Sequence, residues 1–283
     1  MTSIPSMLFP FAITLTILLG MPAAAEDTRL CKQGEEAFGR GNHKLAVNLL
    51  TLCIDNGKLG TEAFARASLY RGNAFLGLDK FKDALNDLKR TIDMRKNLAP
   101  AYSSRALLFA RLEKHGLAVV DYDQAIRFTP ENARLYYNRA LSHMGVRDYQ
   151  RALKDLDKSE QLDRNFAGAI NYNRGVVFAK LKLYDKAVSS FDHAIHLRWR
   201  MAVNYLNRGV MFIRAKKYDA AVTSLNYSIS LKPNYGDAFT YRGLAREGQN
   251  DRQMAIDDYE TAVGYGTTVN WTQKRISQLR AAK

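Results

Sequence analysis

Residues 133–166, ARLYYNRALSHMGVRDYQRALKDLDKSEQLDRNF, are followed after Ala167 by residues 168–201, GAINYNRGVVFAKLKLYDKAVSSFDHAIHLRWRM. The second string answers the first column by column. Tyr137-Asn138-Arg139 returns as Tyr172-Asn173-Arg174, Ala140 as Gly175, Ala152 as Ala187, and Leu156 as Phe191. Two copies of a 34-residue unit in register are the mark of a stack of small supersecondary units, not of a single globular core.

The columns run outward in both directions. Alanine holds one of them at Ala46, Ala84, Ala118, Ala152, Ala187, Ala221 and Ala255, spaced 34 residues from Ala84 onward with one step of 35. Twelve residues earlier stand only Gly or Ala, from Gly34 and Gly72 to Gly209 and Gly243. Four residues after each alanine comes Leu, Tyr or Phe, and eight after comes Ile or Val, with Glu160 the one break. Apolar positions at i, i+4 and i+8 are one face of a helix. The small residues upstream let a second helix close on it, and a large side chain there would cost about 1–3 kcal/mol in overpacking.

Small residue, aromatic, alanine, aromatic or leucine, then Pro130 or Pro233: this order resembles the tetratricopeptide repeat. Seven units start near Asp27, Ala65, Ala99, Ala133, Gly168, Ala202 and Gly236. The resemblance implies an all-α fold, a right-handed superhelical solenoid of antiparallel helix pairs, A then B, with helix A lining a concave groove. The expected domains are residues 1–25 as a signal segment, 26–267 as one solenoid, and 268–283 as a capping helix with Val269, Trp271, Ile276 and Leu279 on its apolar side. Such an array needs a cap at its open end.

Residues 1–25 carry no charge, are strongly apolar from Met7 to Leu19, and end in Ala23-Ala24-Ala25. That is the form of a cleaved secretory signal, which places the chain in the periplasm or outside the cell. An uncleaved membrane anchor is the alternative, and membrane contact is expected only in that case. The two cysteines, Cys31 and Cys53, both fall in the first unit. In the family's register they lie at matching heights on antiparallel helices, so an exported chain would join them, with two buried thiols as the alternative.

Net charge is +14, which points toward acidic partners or anionic surfaces. Six arginines, Arg71, Arg105, Arg139, Arg174, Arg208 and Arg242, stand one residue before the small column. Sixteen residues on, Asp87, Asp121, Asp155 and Asp258 face four of them, and Ser190 and Ser224 the other two. We read this ladder as tying helix A to helix B, since a half-buried guanidinium needs such partners; a phosphate-binding stripe is the competing reading.

Beside it, Asn138, Asn173 and Asn207 recur in three successive units. Some tetratricopeptide superhelices resemble this, gripping a peptide backbone with an asparagine ladder. An amide donates and accepts at once, which suits that task. Tyr137, Tyr172, Leu206, Val176 and Val210 flank the amides, so the expected groove is amide rungs between apolar walls, made for an extended or helical apolar peptide. The Lys/Asn/Arg clamp that some family members use for carboxylate tails is incomplete, with Cys31, Glu35 and Leu69 at clamp positions.

No phosphate loop, nucleophile elbow or zinc-protease signature occurs, and His193 and His196 have no third ligand in a metal-binding spacing. Neither cofactor nor metal is expected, and no catalytic residue. His43 and His115 fill a column held elsewhere by Phe81 and Tyr149, and read as packing residues. Asn226-Tyr227-Ser228 and Asn270-Trp271-Thr272 match glycosylation acceptors. Tyrosines do not alternate with cations as an RNA platform requires, so nucleic acid is not a favoured partner. The expected function is a non-catalytic scaffold that docks a partner protein or peptide in the groove, in the cell envelope. The alternative is a basic outer surface that binds anionic membrane, polysaccharide or nucleic acid.

Overall fold

The computed structural model describes residues 28–56 and 58–281. Fifteen α-helices and one 3-10 turn, and no strand, make up the described residues. The expected signal segment lies outside them. No helix among them is long and apolar enough to cross a membrane.

The chain forms two compact units, divided between Asp155 and Leu156. The N-terminal unit holds α1 (Thr28–Gly39), α2 (His43–Asn56), α3 (Thr61–Gly77), α4 (Phe81–Met94), α5 (Ala99–Arg111), α6 (His115–Phe128), α7 (Ala133–Gly145) and the start of α8 (Tyr149–Leu162). The C-terminal unit holds the rest of α8, then α9 (Ala167–Lys180), α10 (Tyr184–His196), α11 (Met201–Arg214), α12 (Tyr218–Leu231), α13 (Gly236–Gly248), α14 (Arg252–Gly264) and α15 (Thr272–Ala281). Odd-numbered helices through α13 are the A helices and even-numbered ones the B helices. Within each unit a helix packs on its sequence neighbour, as a short loop between antiparallel helices dictates.

Within each unit the small and large columns meet across the A–B pairs. A Cβ added at Gly175 would stand 2.5 Å from Phe191, and one at Gly209 2.7 Å from Leu225. Only glycine admits those side chains, so the spacing of sixteen residues between the columns is a contact. The column alanines Ala46, Ala84, Ala118, Ala187, Ala221 and Ala255 have no exposed surface, and each leaves room for the next helix to close. His43 packs against Gly77 and His115 against Gly145, where a Cβ would meet the rings within 2.7 Å.

Every A helix ends the same way. One residue takes positive φ: Gly41, Asp79, Glu113, Arg147, Lys182, Lys216 and Asn250, at 57–76°. The next amide then turns back onto the helix, as Lys80 N–H does to Phe75 C=O at 2.9 Å. This is the left-handed C-terminal cap, which glycine adopts at least cost.

At the start of the first repeat Cys31 and Cys53 are both buried, and their Cα atoms lie 5.2 Å apart, within disulfide range. At the far end α15 lays Ile276 and Leu279 on α14, and Trp271 meets Tyr259 edge-on at 5.8 Å. Asp237 holds the approach to α15, accepting bonds from the Thr267 hydroxyl at 2.8 Å and the Thr268 amide at 2.7 Å.

Candidate functional site

The arginines form two-sided clasps. Arg71 Nε and Nη2 bond both oxygens of Asp87 at 2.8 Å, Arg105 those of Asp121 at 2.7 Å, and Arg139 those of Asp155 at 2.8 and 2.6 Å. Arg242 grips Asp258 the same way. The aspartates are buried, and paired forks of this kind satisfy both planar groups at once. Burial alone would lower the pKa of Arg139, but the Asp155 and Asp123 carboxylates overcome it and hold the guanidinium more firmly charged than in water.

The remaining guanidinium nitrogen reaches back to the preceding B helix, a link that our forward spacing missed. Arg139 Nη1 meets Asp123 at 2.7 Å, Arg208 Nη1 meets Asp192, and Arg242 Nη1 meets Asn226 at 2.7 Å. Each acceptor lies sixteen residues before its arginine, a column that the sequence displays. Arg174 corrects one pairing. Ser190 donates to Lys186 C=O, and Arg174 bonds Asp157 at 2.5 Å and Glu160 at 2.6 Å. Glu160, the break in the isoleucine column, supplies the carboxylate that the serine lacks. Arg208 does find Ser224, at 3.2 Å.

Two further polar residues converge on these aspartates. His143 and Arg246 replace the phenylalanine found at Phe75, Phe109, Phe178 and Phe212. His143 Nε2 lies 3.7 Å from Asp155 and Arg246 Nη1 lies 2.9 Å from Asp258. Burial lowers the His143 pKa despite the carboxylate beside it.

The asparagines are not three equal rungs. Asn138, in the N-terminal unit, is 2% exposed, with its amide beside the Tyr122 hydroxyl. Asn173 is 4% exposed and donates to Ala169 C=O in its own helix at 2.9 Å. Tyr137 and Leu206 are buried as well. In the N-terminal unit α7 packs on α5, and in the C-terminal unit α11 packs on α13, so that neighbouring A helices close over side chains that a single helix would leave open. Tyr172, Val176, Asn207 and Val210 keep part of their surface. All four belong to α9 and α11, where Tyr172, Val176 and Val210 rest on the Phe191–Met211 cluster. Arg200 sits over the Tyr172 ring at 5.2 Å, at the edge of this face.

The other singled-out residues have bland surroundings. His193 and His196 lie along a shallow, open depression on α10 with Asp185 and Asp192, and no group of three potential metal ligands exists among the described residues. In the two glycosylation sequons Ser228 and Thr272 are buried and hydrogen-bonded, to Ala202 C=O and Val269 C=O, while the acceptors Asn226 and Asn270 are exposed.

The tetratricopeptide repeat family model matches residues 69–133 and 137–202. The chain is 34% identical over 92 residues to human sperm-associated antigen 1, which is 32% of this chain and 10% of that one. It thus spans a tenth of the length of that curated relative. Among solved structures it is similar to a tetratricopeptide repeat protein from Parabacteroides merdae, with TM-score 0.66, 16% identity, and 90% and 98% of the two chains covered. It is also similar to YrrB, described as a TPR protein with an unusual peptide-binding site, with TM-score 0.54, 19% identity, and 67% and 97% covered. Residues 69–133 and 137–202 thus match tetratricopeptide repeats, and the fold is that of solenoids built from such helix pairs.

Proposed function

We propose that this chain is a non-catalytic scaffold that holds an extended or helical apolar segment of a partner protein on its A-helix face. One observation carries the reading. On α9 and α11 Tyr172 and Asn207 keep part of their surface together with Val176 and Val210, whereas the columns of Tyr172 and Asn207 are buried on most other A helices; the column of Val176 and Val210 is part-open from α3 to α13. Apolar surface left beside a free amide suits a peptide, which brings side chains to the first and backbone to the second. Asn138 and Asn173 act inside the fold in this reading and not on the ligand.

The test is selection of displayed random peptides on the full chain, followed by rebinding to Val176→Glu and Asn207→Ala. We expect Val176→Glu to abolish rebinding and Asn207→Ala to weaken it, with helical circular dichroism unchanged. Selected peptides that bind both variants at wild-type strength would refute the site.

We further propose that the chain is exported to the cell envelope and that Cys31 and Cys53 are joined there. The apolar run Met7–Leu19 before Ala23-Ala24-Ala25 supports the first statement, and the 5.2 Å Cα separation supports the second. Intact-mass measurement of protein from its native host tests both. A mass that retains residues 1–25, or two alkylatable thiols without reductant, would overturn the respective claim.

A further inference from the structure

Two turns of the C-terminal unit gather positive charge, of which the fold uses Lys217, paired with Asp185, and Lys186, over the Phe178 ring. Lys180, Lys182 and Lys186 flank the α9–α10 turn, and Arg214, Lys216 and Lys217 the α11–α12 turn; all six are exposed. The turns lie side by side, since Lys217 Nζ reaches Asp185 at 3.4 Å. Among the described residues Lys180, Lys182, Arg214 and Lys216 pair with no carboxylate. The clasp arginines of the same unit, Arg174, Arg208 and Arg242, each have one.

The backbone adds a second observation. Lys182 and Lys216 occupy the left-handed cap position, at φ 60° and 58°. Charged residues take it in the N-terminal unit too, at Asp79, which pairs with Arg111, and at Glu113 and Arg147. Lys182 and Lys216 carry the steric cost of that backbone with no partner, on adjacent turns and with the same sign.

The third observation is continuity. Tyr172, Val176 and Lys180 follow at i, i+4 and i+8 on α9, and Leu206, Val210 and Arg214 do so on α11. Each pair of helix stripes starts apolar and ends in a cation at the turn.

We propose that this edge binds an acidic stretch of the partner polypeptide, next to the apolar residues held by the A-helix face; it rests on the reading given above. The Lys217–Asp185 pair brings the two turns within side-chain reach of each other, and three residues of extended chain span about 10 Å. A carboxylate at every third position would therefore meet the two turns in step. A membrane is the weaker occupant, because Leu183 is the single large apolar side chain exposed at these turns, and interfacial binding scales with buried apolar area.

Two labelled synthetic peptides test the proposal by fluorescence anisotropy on the full chain. Both begin with alternating leucine and asparagine; one then carries glutamate at every third position, the other glutamine. We expect the glutamate peptide to bind roughly tenfold tighter at low salt, and the advantage to vanish at high salt. It should vanish also in Lys180→Gln/Lys182→Gln/Arg214→Gln/Lys216→Gln, in which the glutamine peptide binds as to wild type. That last arm shows that the variant is folded and that the face is intact. Equal binding of the two peptides to wild type would overturn the edge and leave the apolar face standing. If neither binds, both readings fall. Sedimentation with vesicles containing phosphatidylserine, at a salt concentration where the glutamate peptide shows no advantage, would assign the edge to lipid and overturn the proposal.

Discussion

Arg139→Ala tests the clasps most directly. It removes a fork that bonds both oxygens of Asp155 and one of Asp123. The Asp155 side chain is 8% exposed, so its charge stays inside the protein, with only His143 within 4 Å to replace the guanidinium. Breaking a buried pair from one side costs about 3–5 kcal/mol. Arg139 is 19% exposed, so some water enters, and we take the lower end, about 3 kcal/mol. At a urea slope of about 2 kcal/mol per molar the midpoint falls by about 1.5 M. Adding Asp155→Asn removes the stranded charge and should restore about half of the loss, since an unpaired amide is cheaper to bury than an unpaired carboxylate. Urea titration followed by helical circular dichroism reads all three proteins. A shift below about 0.3 M for Arg139→Ala, or a double variant less stable than the single one, refutes the structural role.

Lys182→Gly and Lys216→Gly should each stabilise the chain by about 0.5–1 kcal/mol, because glycine meets the left-handed cap without a side-chain clash; thermal melts check this, and a lower melting temperature counts against it. The same substitutions should weaken the glutamate peptide. His143 makes stability fall on the acid side: its folded pKa lies below the unfolded value near 6.5, so the unfolded chain binds the extra proton first. Stability is full above pH 6.5 and is lost as the pH drops below it, and His143→Phe should flatten melts compared at pH 7.5 and 5.5. Reduction of a Cys31–Cys53 bond, whose positions are 22 apart in sequence, should cost the N-terminal hairpin about 3 kcal/mol, read as faster amide exchange in α1 and α2; unchanged exchange would mean that no bond constrains it.

The period was legible because packing enforces it: Gly175 against Phe191 is one contact repeated along the chain, and such a contact fixes residue size at both ends. Five of the six forward arginine partners were legible for the same reason; Arg174 does not meet Ser190. What the sequence hid depends on neighbours beyond the unit. Asn138 and Asn173 look like exposed rungs on a single helix and are covered by the surrounding A and B helices. The backward links to Asp123, Asp192 and Asn226 join one repeat to the one before it, and a reading confined to one unit overlooks them. The left-handed caps escaped notice because lysine, arginine and glutamate carry no signal for that backbone.

Glu160 and Arg174 set a limit on how this protein can be rearranged. The fifth unit has Ser190 where the second, third, fourth and seventh have aspartate, and borrows its carboxylates from the fourth. Cut out and spliced behind the second unit, whose matching positions are Lys89 and Ile92, it would lose both carboxylates of that loan. The modules look interchangeable in outline, but these two travel as a matched set. A gene duplication or an engineered shuffle that parts them would have to mend Ser190 in the same step.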